Sequence, residues 1–221
     1  MTFSRIYEQA VIQKGGEVAM RAMLPRVAEP GELEALGDDR YLSEITRGIF
    51  KAGFVWRVIE NKWPGFEKAF DGFVPLYWQQ VSPEVLEKLA DDERIVRNAQ
   101  KIRTVPENAR MIVDAAAEHG SFGKFLASWP SSDQVGLLLW LKRNGARLGG
   151  NTAQYFLRRV GWDGFILSRD VVAALHREEM LDASPASKKG LTQAQQAFNQ
   201  WHEETGLPYS HLSKILSFTI D

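Results

Sequence analysis

The sequence predicts an all-α fold, a two-lobed bundle of roughly eight to eleven helices with a cleft between the lobes. Three observations predict it. Apolar residues recur at spacings of three and four along most of the chain, no stretch alternates cleanly enough for a strand, and helix start and stop residues punctuate the apolar runs.

Residues 1–37 contain Gly15-Gly16, Pro25, Pro30 and Gly37, so short helices wrapped on the main body are expected there. From Tyr41 to Lys62, apolar residues fall at Leu42, Ile45, Ile49, Ala52, Trp56 and Ile59, one face of a helix. Phe50, Phe54, Val55 and Val58 make the remainder apolar too, which predicts a central helix buried on several sides, capped by Asp38 and Asp39 and stopped by Pro64. A short helix over Gly65 to Phe70 follows. Ser82-Pro83-Glu84 reads as a helix start with proline in the first turn. Ser131-x-x-Gln134 and Thr192-x-x-Gln195 have the form of capping boxes. Periodic apolar residues predict one helix through Val135, Leu138, Leu139 and Leu141 and another through Ala153, Phe156, Leu157 and Val160. A further helix is expected over Val171 to His176. The polar turn formers of 181–190 predict a surface loop, and residues 191–221 return as helices to the same core. One domain of interleaved lobes is expected, with its main body over 38–180.

The 221 residues are 44% hydrophobic and 25% charged, which excludes disorder, collagen and coiled coil. No apolar run is long enough for a membrane span, and the N-terminus lacks the apolar stretch of a signal peptide, so a cytoplasmic protein is expected. The chain has no cysteine, which removes disulfides, thiolate nucleophiles and cysteine-based metal sites. His119, His176, His202 and His211 show no paired ligand spacing, and no metal or organic cofactor is implied.

The net charge of -1 hides an asymmetry. Between Arg94 and Arg110 five basic residues, including Arg97 and Lys101, face Glu107 alone; between Lys142 and Arg177 seven face Asp163 and Asp170. A solvated helix face and a phosphate-binding surface both fit such stretches. The second stretch also contains Asn144-Gly145-Ala146-Arg147-Leu148-Gly149-Gly150-Asn151-Thr152-Ala153, a glycine turn between two helices. Such a turn lets the backbone approach a phosphate closely while the amides of the following helix point at it.

Three segments together resemble the helix-hairpin-helix DNA glycosylases, and within them the 3-methyladenine glycosylase I family. The first runs from Asp38-Asp39-Arg40-Tyr41-Leu42 through Lys51-Ala52-Gly53-Phe54-Val55-Trp56 to Phe66-Glu67-Lys68-Ala69-Phe70. The second holds Leu89-Ala90-Asp91, Ile95-Val96-Arg97-Asn98 and Lys101-Ile102, with Asn108-Ala109-Arg110 after them. The third is the glycine turn with Thr152-Ala153, Gly161 and Asp170. The chain departs from the family at definite points. The register of Ala52-Gly53 and Trp56 puts Gly48 where the family carries a base-pocket acid, the family's zinc site cannot be built, and its N-terminal aromatic motif has no counterpart around Tyr7.

The resemblance implies a monofunctional glycosylase acting, as a monomer, on double-stranded DNA with a damaged, alkylated, 3-methyladenine-like purine. Base removal passes through an oxocarbenium-like state that a carboxylate can stabilise. Asp170, about seventeen residues after Thr152-Ala153 as in the wider superfamily, is the candidate for that role, though a carboxylate there could instead cap a helix. Asn151 stands where bifunctional members carry a lysine, so no Schiff-base step is expected. Trp56, with Phe54 and Tyr155, is expected to contact an extruded base, although its place on the apolar stripe also fits core packing. Arg147, Gly149, Gly150, Asn151, Thr152, Arg97 and Lys101 are the expected DNA contacts. A damage-binding protein without catalysis, or a helical interaction protein with no nucleic-acid role, would share the same fold.

Overall fold

The computed structural model describes residues 2–220, and all regular structure in them is helical. In chain order the helices are α1 (Phe3–Gln13), α2 (Glu17–Arg21), α3 (Pro30–Ala35), α4 (Asp38–Lys51) and α5 (Trp56–Ala69). Then come α6 (Pro75–Trp78), α7 (Pro83–Ala90), α8 (Ala99–Ile102), α9 (Thr104–His119) and α10 (Phe122–Ser128). The last five are α11 (Gln134–Asn144), α12 (Asn151–Arg159), α13 (Arg169–Arg177), α14 (Lys188–Thr205) and α15 (Tyr209–Ser217). Fifteen exceeds the expected eight to eleven because α2, α3, α6 and α8 are only four to six residues long, below the length at which periodicity is legible. No helix among the described residues is long and apolar enough to cross a membrane.

The chain divides into two compact units, each made of separate segments. One comprises residues 1–28, 130–137 and 161–221; the other comprises 29–129 and 138–160. Helix α11 begins in the first and ends in the second. In the first unit Phe3, Ile6 and Ala10 of α1 join Ala174 and Leu175 of α13, Phe198 and Trp201 of α14, and Leu212, Ile215 and Leu216 of α15 in one apolar core. Gln134 does not close a capping box with Ser131. Its amide instead bonds both the N–H and the C=O of Phe165, at 2.8 Å each, because a buried backbone pair needs a partner more than an exposed turn does. Thr192 lies inside α14 rather than at its start. Ser187 takes that place, its hydroxyl accepting from the Gly190 amide at 3.0 Å, so Lys188 to Gly190 belong to the helix and not to the preceding loop.

The second unit is organised around α4, which packs against α5, α9, α10 and α12 and buries Tyr41, Leu42, Ile45, Ile49 and Phe50. Its N-cap is Gly37, and Asp38 and Asp39 lie in its first turn. Asp38 accepts the amide of Phe122 at the start of α10 at 3.0 Å instead of capping its own helix. The expected single helix from Tyr41 to Lys62 is two. Gly53 adopts a φ of +72°, which ends α4, and α5 then runs through the exposed Pro64 to Ala69 with one amide hydrogen bond fewer. The helix start at Ser82-Pro83 stands as expected.

Glu67 joins α5 to α4. Both its oxygens accept from the Arg40 guanidinium at 3.0 Å, and Oε1 also accepts from the Ser43 hydroxyl at 2.6 Å and the Trp63 indole at 3.0 Å. Arg40 Nη2 also donates to the Gly72 carbonyl at 2.8 Å. That carbonyl sits in a turn where Asp71 and Phe73 hold φ values of +44° and +61°, a strained region for residues with side chains. Stacking of Phe73 on Phe70 and Trp63, with ring centroids 4.9 and 5.7 Å apart, helps hold it. Burial pushes the Glu67 carboxyl up, but the donors of Arg40, Ser43 and Trp63 outweigh it and hold it below its ordinary value of 4.5. Stability from this group is therefore complete above that value and is lost as pH falls through the depressed one. Glu67→Gln should cost about 2 kcal/mol at neutral pH. Urea titrations should show the difference from wild type shrinking only once pH falls below the ordinary glutamate value of 4.5.

Candidate functional site

The site grows from the break after α4. Lys101, at the end of α8, is 6% exposed, and its ammonium donates to the carbonyls of Phe50 and Ala52 at 3.1 and 2.6 Å. A cation on the last carbonyls of a helix satisfies groups that have no helical partner. The same ammonium lies 5.1 Å from the Phe54 ring centroid. Burial first, then the positive charge of Arg147, lower the Lys101 pKa. Lys101 is thus a structural cation, which corrects the expectation that it meets phosphate.

Held there, the chain turns through Ala52 and Gly53 and presents Phe54, Val55 and Trp56 outward, 44%, 65% and 51% exposed. Trp56 does not continue the core stripe of α4. It starts α5 and meets Tyr155 of α12 edge to face, the rings 5.5 Å apart at 81°. Lys51 extends over the other part of the indole, its ammonium 5.4 Å from the centroid, and pairs with Glu60. That hydrogen bond, against some burial and with the charges of Lys51, Arg47 and Arg159, holds the Glu60 carboxyl below the usual range.

The glycine turn stands beside this junction. Asn108, fully buried in α9, accepts the Ala146 amide at 2.8 Å and donates to the Ala146 carbonyl at 3.2 Å. Gly145 must be glycine, since a Cβ there would lie 2.7 to 2.8 Å from Leu148, Asn108 and Met111. Arg147 sits at φ +56° and bonds Gln100 at 3.0 Å. Gly150, at φ +57°, is the N-cap of α12 and brings no capping side chain.

A cavity of about 470 Å³ opens between the junction and α12, lined by Gly48, Lys51, Ala52, Gly53, Phe54, Val55, Trp56, Asn151, Thr152, Tyr155 and Arg159. Five residues singled out from the sequence, Phe54, Trp56, Asn151, Thr152 and Tyr155, meet here. Arg147, Gly149 and Gly150 lie on the adjoining turn, and Arg97 is exposed ahead of α8. Asp170 belongs to the other unit, exposed in the first turn of α13. It does not cap that helix; Ser168 does, accepting from the Val171 amide at 3.3 Å.

The residues that sequence reasoning missed are the charged ones. Arg159 donates to the Glu44 carboxylate through Nε at 2.9 Å and to the Glu44 carbonyl through Nη2 at 2.9 Å, and Glu44 also pairs with Arg47 at 2.7 Å. The guanidinium fills the space beside Gly48, where a Cβ would lie 2.5 Å from Nη2. Glu44, Arg47, Gly48 and Lys51 recur at spacings of three and one to three along a single face of α4, a pattern present in the sequence. Arg159 is 115 positions from Glu44 and has no local signal. Lys101→Met, which keeps the apolar stem and deletes both carbonyl bonds, should cost about 2 kcal/mol, read from chemical denaturation.

Comparison with known proteins bears on the fold. Residues 34–137 match the methyladenine glycosylase family, a span that ends before the glycine turn. The 3-methyladenine DNA glycosylase I of Staphylococcus aureus is similar in structure, with a TM-score of 0.52 at 20% identity over 71% of this chain and 92% of that one. The 8-oxoguanine glycosylase/lyase of Methanocaldococcus jannaschii, solved in complex with DNA containing 8-oxoguanine, gives a TM-score of 0.58 at 18% identity over 97% of this chain and 96% of that one. The chain thus carries the methyladenine glycosylase pattern over residues 34–137 and shares its fold over nearly its whole length with the Methanocaldococcus jannaschii enzyme.

Proposed function

We propose that this chain is a monofunctional DNA glycosylase that hydrolyses the N-glycosidic bond of a damaged purine in duplex DNA, acting as a monomer. The observation that carries the reading is the pairing of an open aromatic cavity, walled by Trp56 and Tyr155, with a rigid glycine turn at the start of the helix that supplies one of those walls. Enzymes that act on a base within a duplex must extrude it and hold it against aromatic surface. A cavity of about 470 Å³ is in the range that takes a group of purine size. The turn supports the same reading. Gly149 and Gly150 allow close backbone approach, the amides of Asn151 and Thr152 lie at the positive end of α12, and Arg147 adds a charge. Arg97 is exposed and adds another.

In the step itself, the glycosidic bond breaks with its electron pair going to the leaving base, and water adds to the sugar carbon while losing a proton. Asp170 is our candidate to stabilise the cationic sugar and orient that water. Asn151 has no amine, and Lys51, the lysine of the cavity, is committed to Glu60, so nothing in the cavity offers a free amine for a Schiff base.

A second reading is favoured by one feature. The cavity lining contains no carboxylate, which suits a protein that binds damage without cleaving the bond.

Purified protein incubated with duplexes carrying damaged purines should release free base, and Asp170→Asn should slow release by at least about 100-fold. Tight, lesion-selective binding with no release from any damaged duplex would instead establish the second reading. Titrations of DNA binding against salt should give a slope that falls by about one in Arg147→Ala and stays unchanged in Lys101→Met. Absence of binding even at low salt would overturn both DNA readings.

A further inference from the structure

We propose that the cavity selects a base whose exposed edge carries oxygen acceptors, an oxidised or deaminated purine, and rejects a purine made cationic by N-alkylation. The inference rests on the glycosylase reading and names the substrate class of the same cavity. It runs against the alkylated purine that the family resemblance implies.

The lining carries two cations, Lys51 and Arg159, and no carboxylate. Arg159 is not a loose surface group. Its side chain is 21% exposed, and Nε and Nη2 are fixed at 2.9 Å on the carboxylate and the carbonyl of Glu44. Nη1 makes no hydrogen bond among the described residues, so its two N–H groups stay available to an acceptor in the cavity. The place is open to it because residue 48 is glycine. A Cβ there would stand 2.5 Å from Nη2 and 3.8 Å from Nη1, so any side chain at 48 would displace the guanidinium.

The surrounding charges do not cancel this field. Glu44 is shared between Arg47 and Arg159, and Glu60 pairs with Lys51 while feeling both arginines. Three cations therefore stand over two carboxylates. A positively charged ring entering this space meets like charge in a partly desolvated site. A ring carbonyl meets a preorganised, charged donor instead.

The aromatic wall points the same way. An indole face attracts a cation through its quadrupole, and this would be the natural seat for an alkylated purine. Here the Lys51 ammonium already occupies that role at 5.4 Å from the Trp56 centroid. The remaining surface, shared with Tyr155, stacks a neutral ring.

The test uses the full chain and three duplexes differing at one position, which carries hypoxanthine, 8-oxoguanine or cationic 1-methyladenine. Affinity is read by fluorescence anisotropy and base release by chromatography. The oxygen-bearing bases should be favoured by at least about tenfold. Arg159→Gln should bring the three within about threefold and Arg159→Lys should recover part of the preference. Because loss of Arg159 leaves Glu44 short of a partner, Gly48→Ala supplies a second route. It keeps both charges, displaces the guanidinium and should weaken the same preference, with helical circular dichroism confirming the fold. Equal or tighter engagement of the methylated duplex by wild type overturns the proposal while leaving the glycosylase reading intact. So does a preference unchanged in both folded variants. If no duplex is engaged at all, the glycosylase reading fails, and calorimetry with nucleosides decides the cavity separately. Binding of inosine over cationic 1-methyladenosine, lost in Arg159→Gln, sustains it, and equal or absent binding of the two overturns it.

Discussion

Helix α5 has to return along α4 while leaving the four-residue break between them, Ala52 to Val55, outside the core, and the Glu67 carboxylate is what fixes that return. Its two oxygens gather the guanidinium of Arg40, the hydroxyl of Ser43 and the indole of Trp63, so donors from both helices converge on one group. At the other end, the Lys101 ammonium closes the last carbonyls of α4. Both ends of the break are held, and Phe54 within it and Trp56 directly after it stand exposed. The cavity wall is thus a product of core electrostatics. The apolar packing of α4 sets where the helix lies, and charge-assisted bonds set where it stops.

The sequence reveals the second unit better than it reveals the site. The spacing of Leu42, Ile45 and Ile49 marks α4 because a buried helix must repeat its apolar residues every three or four positions. That rule then misleads, since Ala52, Trp56 and Ile59 keep the rhythm across the turn that separates α4 from α5. Gly53 is the one residue in the run that permits a left-handed turn, and a lone glycine within an apolar pattern reads as a tolerated defect. Phe54, Trp56 and Tyr155 were identifiable as a group by resemblance. Their exposure was not, because hydrophobicity alone assigns such residues to a core.

Charge is where one-dimensional reading is weakest. Lys101 and Arg147 lie in similar basic stretches, yet one is buried on carbonyls and the other is exposed on a turn. Counting cannot separate them, since the difference lies in which backbone carbonyls happen to end nearby. The relation of Gly48 to Arg159 is of the same kind. A missing side chain on α4 is readable as an absence in the sequence, and what fills the space comes from α12, more than a hundred residues later. Helix caps follow a milder form of this rule. Ser187 and Ser168 cap their helices, while Asp38, equally suited by type, and Gln134, suited to close a capping box, are drawn away to Phe122 and Phe165.

The clamp of Asn108 on Ala146 bears on kinetics. Two hydrogen bonds from a fully buried amide hold the turn before anything binds, and Arg147 already pays its left-handed backbone cost in the free protein. A partner that docks on this turn therefore loses no loop entropy in the docking step. Encounter is limited by orientation rather than by local folding, and residence time is set by the contacts made afterwards. A turn of this kind suits brief, repeated sampling of many similar surfaces, where slow ordering at each visit would dominate the time spent searching.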